Sequence, residues 1–432
     1  MWGGREMSST RFFWIKLLVG LLLLAGLFVA TVVWLNVRGE SPMTDVVSAA
    51  APNPELVSRG AYLARAANCA SCHTARGGEV YAGGKALPTP FGLVFAGNLT
   101  PDNETGIGRW SADHFWRALH HGRSRDGRLL YPAFPYTEYT HVTREDSDAL
   151  YAFLRTVPAV HQPNQAHDLR FPYRTQAALA VWRALYFSPG EFEPERAKSA
   201  EWNRGAYLVR GLGHCAACHA PRNAMGATQN NLGLDGGLMP MQNWYAPSLA
   251  SPAEAGVQDW SMQEVVDLLK TGVSAKGAAM GPMAEVVYSS TQHLSEADLQ
   301  AMATFLRELP PHAPAPQPNT HVGSTVRELG AKLYKAQCAE CHGDSGEGRD
   351  GIYPALAGHR TITQASSANL IKIIVHGGFP PTTSGNPRPY GMPPFGQSLN
   401  NEEIAALSSY VRSAWGNKAS GVTPFDVNRV RR

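Results

Sequence analysis

The placement of cysteine and histidine constrains this chain more than any other feature. Its six cysteines fall as Cys69/Cys72, Cys215/Cys218 and Cys338/Cys341, each a Cys-x-x-Cys followed at once by histidine: His73, His219 and His342. None is left over, and a disulfide framework has no reason to set a histidine after every second cysteine. The surroundings repeat as well. Arg59-Gly60-Ala61-Tyr62-Leu63 precedes the first motif, Arg204-Gly205-Ala206-Tyr207-Leu208 the second and Gly330-Ala331-Lys332-Leu333-Tyr334 the third. Each reads as a short amphipathic helix delivering the cysteines, and the threefold pattern marks an internal repeat. Further helical stretches follow at Ala112–His121, Met262–Thr271 and Ala368–His376, then a Gly/Pro-rich loop in every unit. A closing helix stands behind a polar cap each time: Thr143 before 144–156, Ser295 before 296–309, and Asn400 or Asn401 before 402–414. The 42 glycines and 31 prolines agree with short helices joined by long loops.

Cys-x-x-Cys-His is the attachment pattern of c-type haem, with two thioethers to the porphyrin and the adjacent histidine as proximal iron ligand. A zinc site would need further ligands in pairs, and no other cysteines exist. A thioredoxin-like redox pair leaves three in-register histidines unexplained. Cys69, Cys72, His73, Cys215, Cys218, His219, Cys338, Cys341 and His342 are therefore expected to bind three haems c. For the opposite face of each iron, methionine sulfur would raise the potential, as in electron carriers. Met392, in Pro389-Tyr390-Gly391-Met392-Pro393, suits unit three, and Met283, in Met280-Gly281-Pro282-Met283, suits unit two, with Met280 as its rival. A methionine in a core is commonly only filler, but both fall at the same place in the repeat. Unit one has Phe134 there, which cannot ligate iron, so His141, His120, His121 or an open position remain. Each of those histidines also has a plain structural reading. Trp110, Trp202 and Trp244 could pack on haem faces or simply fill a core.

Ahead of the repeats, 17–35 is an uncharged, mostly apolar run preceded by Arg5, Arg11 and Lys16. It is longer than the roughly 7–15 apolar residues of a secretory signal, and Ala49-Ala50-Ala51 lies well downstream, so an uncleaved anchor is expected. The basic residues before it would hold the N-terminus in the cytoplasm and the rest in the periplasm of a bacterium. A net charge of +3 with 38 basic and 35 acidic residues offers no electrostatic footprint for nucleic acid.

With these motifs in hand, the chain closely resembles the three-haem cytochrome c subunits of bacterial membrane-bound dehydrogenases, across residues 55–415. The resemblance implies an all-α fold of three tandem cytochrome c domains with one N-terminal transmembrane helix. The expected boundaries are 1–40 for the cytoplasmic end and anchor, 51–160, 201–309 and 326–416 for the domains, 161–200 and 310–325 for the connections, and 417–432 for a polar tail. A helix near 175–186 is expected inside the first connection. It also implies electron relay from a catalytic subunit to ubiquinone at the inner membrane. Phe134, the anchor and Met241-Gln242-Asn243-Trp244-Tyr245-Ala246-Pro247 look most like the cytochrome subunit of the molybdopterin-dependent aldehyde dehydrogenase of acetic acid bacteria. That branch would bring a molybdopterin subunit and a small iron–sulfur subunit as partners. Quinoprotein alcohol dehydrogenases and flavin sugar-acid dehydrogenases are the alternative branches. A haem peroxidase acting through an open iron in unit one is a rival from another class, as is a cytochrome feeding a terminal oxidase.

Overall fold

The computed structural model describes residues 9–47, 53–228, 233–313, 316–317 and 320–431. Ala49-Ala50-Ala51 and part of the proline-rich connection fall outside them. The first helix, Ser9–Val37, contains a 27-residue apolar stretch with nothing packed on its most apolar window, which fits a membrane anchor.

Each repeat is built on a crossing of its opening and closing helices: Pro54–Ala66 with Arg144–Leu154, Ala200–Tyr207 with Glu296–Arg307, and Ser324–Gln337 with Asn401–Ser413. The glycine of each repeat motif sits at the crossing. A Cβ on Gly60 would strike the Ala149 carbonyl and Phe153; on Gly205, the Ala301 carbonyl and Phe305; on Gly330, the Ala406 carbonyl and Tyr410. Only a residue without a side chain lets the two backbones approach this closely. The caps act as expected: Thr143, Ser295 and Asn400 accept from the backbone N–H of Asp146, Asp298 and Glu403. Helix Gln176–Tyr186 forms where a helix was expected, capped by Thr175.

The all-α expectation needs correction. Three small antiparallel sheets are present among the described residues: Ala86–Thr89 with Gly92–Phe95 and Asp168–Leu169, Gly237–Leu238 with Tyr245–Ala246, and Val273–Ser274 with Gly277–Ala278. They pair backbone groups of long loops that helices cannot satisfy. The segment 417–431 also departs from a plain polar tail. Its helix Pro424–Arg431 folds back onto unit three, burying Val427 and Val430.

Two large cores result. Units one and two share a continuous apolar cluster running from Leu63 and Leu150 to Leu208, Leu299 and Phe305, while unit three encloses its own around Tyr334, Ile371, Ile404 and Val427. A reciprocal exchange joins the first two units. Arg59 pairs with Asp146 of its own unit, and Asp146 accepts the Tyr207 hydroxyl of unit two at 2.5 Å. Arg204 pairs with Asp298 at 2.8 Å, and Asp298 accepts the Tyr62 hydroxyl of unit one at 2.5 Å. Unit three has Leu329 and Lys332 where the others have the arginine and tyrosine. It docks on unit two instead through Arg360–Asp259 at 2.8 Å and a double hydrogen bond between Asn369 and the Tyr245 backbone.

Candidate functional site

Each Cys-x-x-Cys-His lies in one short helical turn: Cys69–His73, Ala216–His219 after Cys215, and Ala339–His342 after Cys338. That turn brings both sulfurs and the imidazole of a motif to one side. No disulfide joins the six cysteines, so every sulfur is available for a thioether. Burial pushes the Cys69 and Cys215 thiols up to about 12 and Cys338 to about 11.

The histidines share one arrangement. His73 Nδ1 lies 2.7 Å from the Gly97 carbonyl oxygen, His219 Nδ1 2.7 Å from that of Pro247, and His342 Nδ1 2.9 Å from that of Pro354. A carbonyl can only accept, so Nδ1 carries the proton and Nε2 keeps its lone pair. Burial lowers the pKa of all three, holding them neutral. A neutral imidazole with a fixed tautomer and a free Nε2 is what an iron ligand requires. The three carbonyl partners were not legible in the sequence, because each lies on a loop whose return to the motif is a tertiary event.

A cavity of about 1510 Å³ opens in front of the first motif, larger than the roughly 300–1,000 Å³ of ordinary small-molecule pockets. Cys69, Cys72, His73, Trp110, Phe134 and Cys218 are among the residues on its walls, so one hollow reaches the motifs of units one and two. The donor set, the reduced cysteines and the apolar hollow fit a covalently held haem c. Among the described residues no group of three or more His, Cys, Asp or Glu side chains is placed to hold a bare metal ion.

The remaining candidates separate. Met283 packs into the core of units one and two, and Met392 into that of unit three, where it forms a bridge with Gly378. Met280 instead points its methyl carbon toward Gly378 of unit three. Phe134 packs against Tyr139 with ring centroids 5.4 Å apart and planes tilted by 44°, and it lines the large cavity. His120, His121 and His141 do not line that cavity. His120 stacks on Trp116 at 4.3 Å, and burial pulls it down to about 4. His121 lines a small pocket beside Glu40 and Met43, with burial lowering it to about 3. His141 sits on the seam with unit two, its Cβ beside Gly211. The histidines that do face the cavity, apart from His73, are His114, His167 and His214. His114 is tied to Ser111 and Asp45, His167 accepts from the Phe95 N–H, and His214 lies 3.4 Å from the Ala67 carbonyl. Trp110 lines the cavity, Trp202 fills the core against Phe305, and Trp244 covers Gly281 just before Met283.

Comparison with known proteins agrees with this geometry. The sequence model of the family described as "Cytochrome c" matches residues 57–158, 203–310 and 328–415, one stretch around each motif. The chain is 39% identical over 394 residues to the cytochrome c subunit of a quinone alcohol dehydrogenase from Gluconacetobacter polyoxogenes, covering 87% of this chain and 84% of that one. It is 38% identical over 426 residues to the fructose dehydrogenase cytochrome subunit of Gluconobacter japonicus, covering 92% and 86%. It is 36% identical over 399 residues to the gluconate 2-dehydrogenase cytochrome c subunit of Pantoea cypripedii, covering 88% and 90%.

Proposed function

The chain belongs to the cytochrome c family, whose domains imply covalently bound haem c, and on that premise we propose that it relays electrons from the catalytic subunit of a membrane-bound dehydrogenase to ubiquinone. The three motifs are consistent with three haems. The proposed arrangement is three tandem cytochrome c domains at 51–160, 201–309 and 326–416 behind an N-terminal anchor, with the domains in the periplasm. In this reading Cys69/Cys72, Cys215/Cys218 and Cys338/Cys341 would hold the porphyrins, His73, His219 and His342 would bind the irons, and Met283 and Met392 would supply the sulfur ligands of units two and three. Each haem, when bound, supplies a one-electron iron couple.

The chain's own residues do the rest. The Gly97, Pro247 and Pro354 carbonyls fix the imidazole tautomers and orient the rings. Met283 and Met392 are partly buried against the cores of their units, which holds each side chain in place. One observation carries the relay reading furthest: a single cavity touches Cys72 and Cys218, so two attachment sites open on the same hollow. A sealed carrier has no use for a substrate channel, but a relay needs its carriers close together.

Within this class we favour the molybdopterin aldehyde dehydrogenase branch, with a molybdopterin subunit and a small iron–sulfur subunit as partners. Phe134 in the unit-one loop, the anchor and the 241–247 stretch support it. The test is to solubilise membranes in detergent, purify the complex through this chain, and measure ubiquinone reduction together with molybdenum and haem. Substrate-dependent ubiquinone reduction supports the relay; peroxide turnover by the isolated chain without any partner overturns it. Molybdenum near one per three haems supports the aldehyde branch. A quinone or flavin cofactor in the large subunit moves the chain to the alcohol or sugar-acid branch.

A further inference from the structure

The anchor helix does not simply tether the protein. From residue 11 to residue 31 its side chains are open except at Gly20, whereas Val32, Leu35 and Asn36 are covered. About 20 residues of helix cross the hydrocarbon layer, so the covered turn begins where the helix leaves it. What covers it is helix Gln176–Tyr186, which packs on the anchor. Asn36 donates to the Ala180 carbonyl at 2.9 Å and accepts from Arg183 Nε at 2.9 Å, and Arg38 donates to Ser188 at 2.9 Å. The 11-residue helix is therefore clamped at the level of the bilayer surface.

Its composition suits that level. The sole charged side chain, Arg183, is buried against the rings of Tyr136 and Phe187, with Leu179 and Trp182 on the same inward face. Ala177 and Leu185 face outward, Leu185 being 67% exposed, and Phe171, just before the helix, is 75% exposed. Exposed Arg170 and Arg174 flank this apolar face, where anionic headgroups would meet them. We propose that helix Gln176–Tyr186 is a second membrane-contacting element, lying in the headgroup–acyl boundary of an anionic phospholipid bilayer with Phe171 and Leu185 inserted. Continuity with the anchor decides the occupant: a rigid clamp to a membrane-crossing helix leaves this face nowhere else to point.

The proposal rests on the anchor reading, and the experiment separates the two. p-Benzoylphenylalanine replaces Leu185, Phe171, Leu23 or Val80, one at a time, in the full chain in its membranes; the adducts formed on irradiation are identified by mass spectrometry. Leu23 is 70% exposed on the anchor, and Val80 is 57% exposed on unit one. Phospholipid adducts at 185 and 171, about tenfold above those at 80, are expected. Lipid adducts at 23 with none at 185 and 171 would overturn the interfacial helix and leave the anchor standing. Cross-links from 185 and 171 to another protein chain would overturn it too, by assigning the face to a subunit. No lipid adduct at 23 would overturn the anchor reading and the proposal with it.

Discussion

At the scale of the residue, the motif and its ligands carry different amounts of tertiary information. Cys-x-x-Cys-His is local and could be read directly, since one helical turn sets its geometry. The methionine candidates are less local: loop position favoured Met283 over its rival Met280, and packing sends Met280 toward unit three and Met283 against the core shared by units one and two. Replacing Met392→Ala is expected to lower the potential of one haem and open its iron to carbon monoxide, read by redox titration and a carbon monoxide difference spectrum. An unchanged spectrum and potential would reassign that ligand. The exchanged tyrosines give a pH prediction. Burial raises the Asp298 pKa, but Arg204 and the Tyr62 hydroxyl outweigh it and hold the carboxyl below its usual range. A carboxyl depressed on folding adds stability that is full above its unfolded pKa of about 3.9 and is lost as pH falls through the folded value. Melting of units one and two should therefore weaken below about pH 4. Asp298→Asn should lose on the order of 1–3 kcal/mol at pH 7 and flatten that acid limb, measured by thermal melts across pH. An acid limb as steep as that of the parent chain would exclude this group as its source.

At the scale of the element, the repeated glycine is the informative position. The sequence showed Gly60, Gly205 and Gly330 recurring, but not why, because the closing helix that each one meets lies far along the chain. Gly330→Ala would force Cβ against the Ala406 carbonyl and Tyr410. The expected cost is about 1–3 kcal/mol of unit-three stability, hence a drop of several degrees in its melting, followed by calorimetry. An undisturbed transition would mean the helices can part at no cost. Helix caps, by contrast, were legible in units one and two, since a Ser or Thr three residues before a backbone donor is a purely local arrangement; in unit three the sequence left Asn400 or Asn401, and the structure caps with Asn400. The small sheets were missed for the opposite reason: strands of two to four residues are too short to show a periodicity, and they arise only once a loop is held in place.

At the scale of the whole molecule, three sequence repeats become two large cores and one small cluster among the described residues. The reciprocal Tyr62–Asp298 and Tyr207–Asp146 bonds and the shared apolar cluster tie units one and two, while unit three keeps its own core and meets unit two through the Arg360–Asp259 pair, the Asn369–Tyr245 bonds and the Tyr245 side chain. Calorimetry should resolve two transitions, and the double variant Tyr62→Phe with Tyr207→Phe should lower the one belonging to units one and two. A shift of all transitions together would show a single cooperative block. The sequence by itself determined the three Cys-x-x-Cys-His motifs, the threefold repeat, the caps of units one and two and the apolar first helix, because each is written in short local patterns. Only the tertiary structure decided which carbonyl holds each imidazole, which methionine enters each core, that His120, His121 and His141 stay off the large cavity, and which two units fuse. Those outcomes depend on contacts between residues far apart in the chain, where burial and hydrogen-bond partners are set by the packing of whole helices rather than by local pattern.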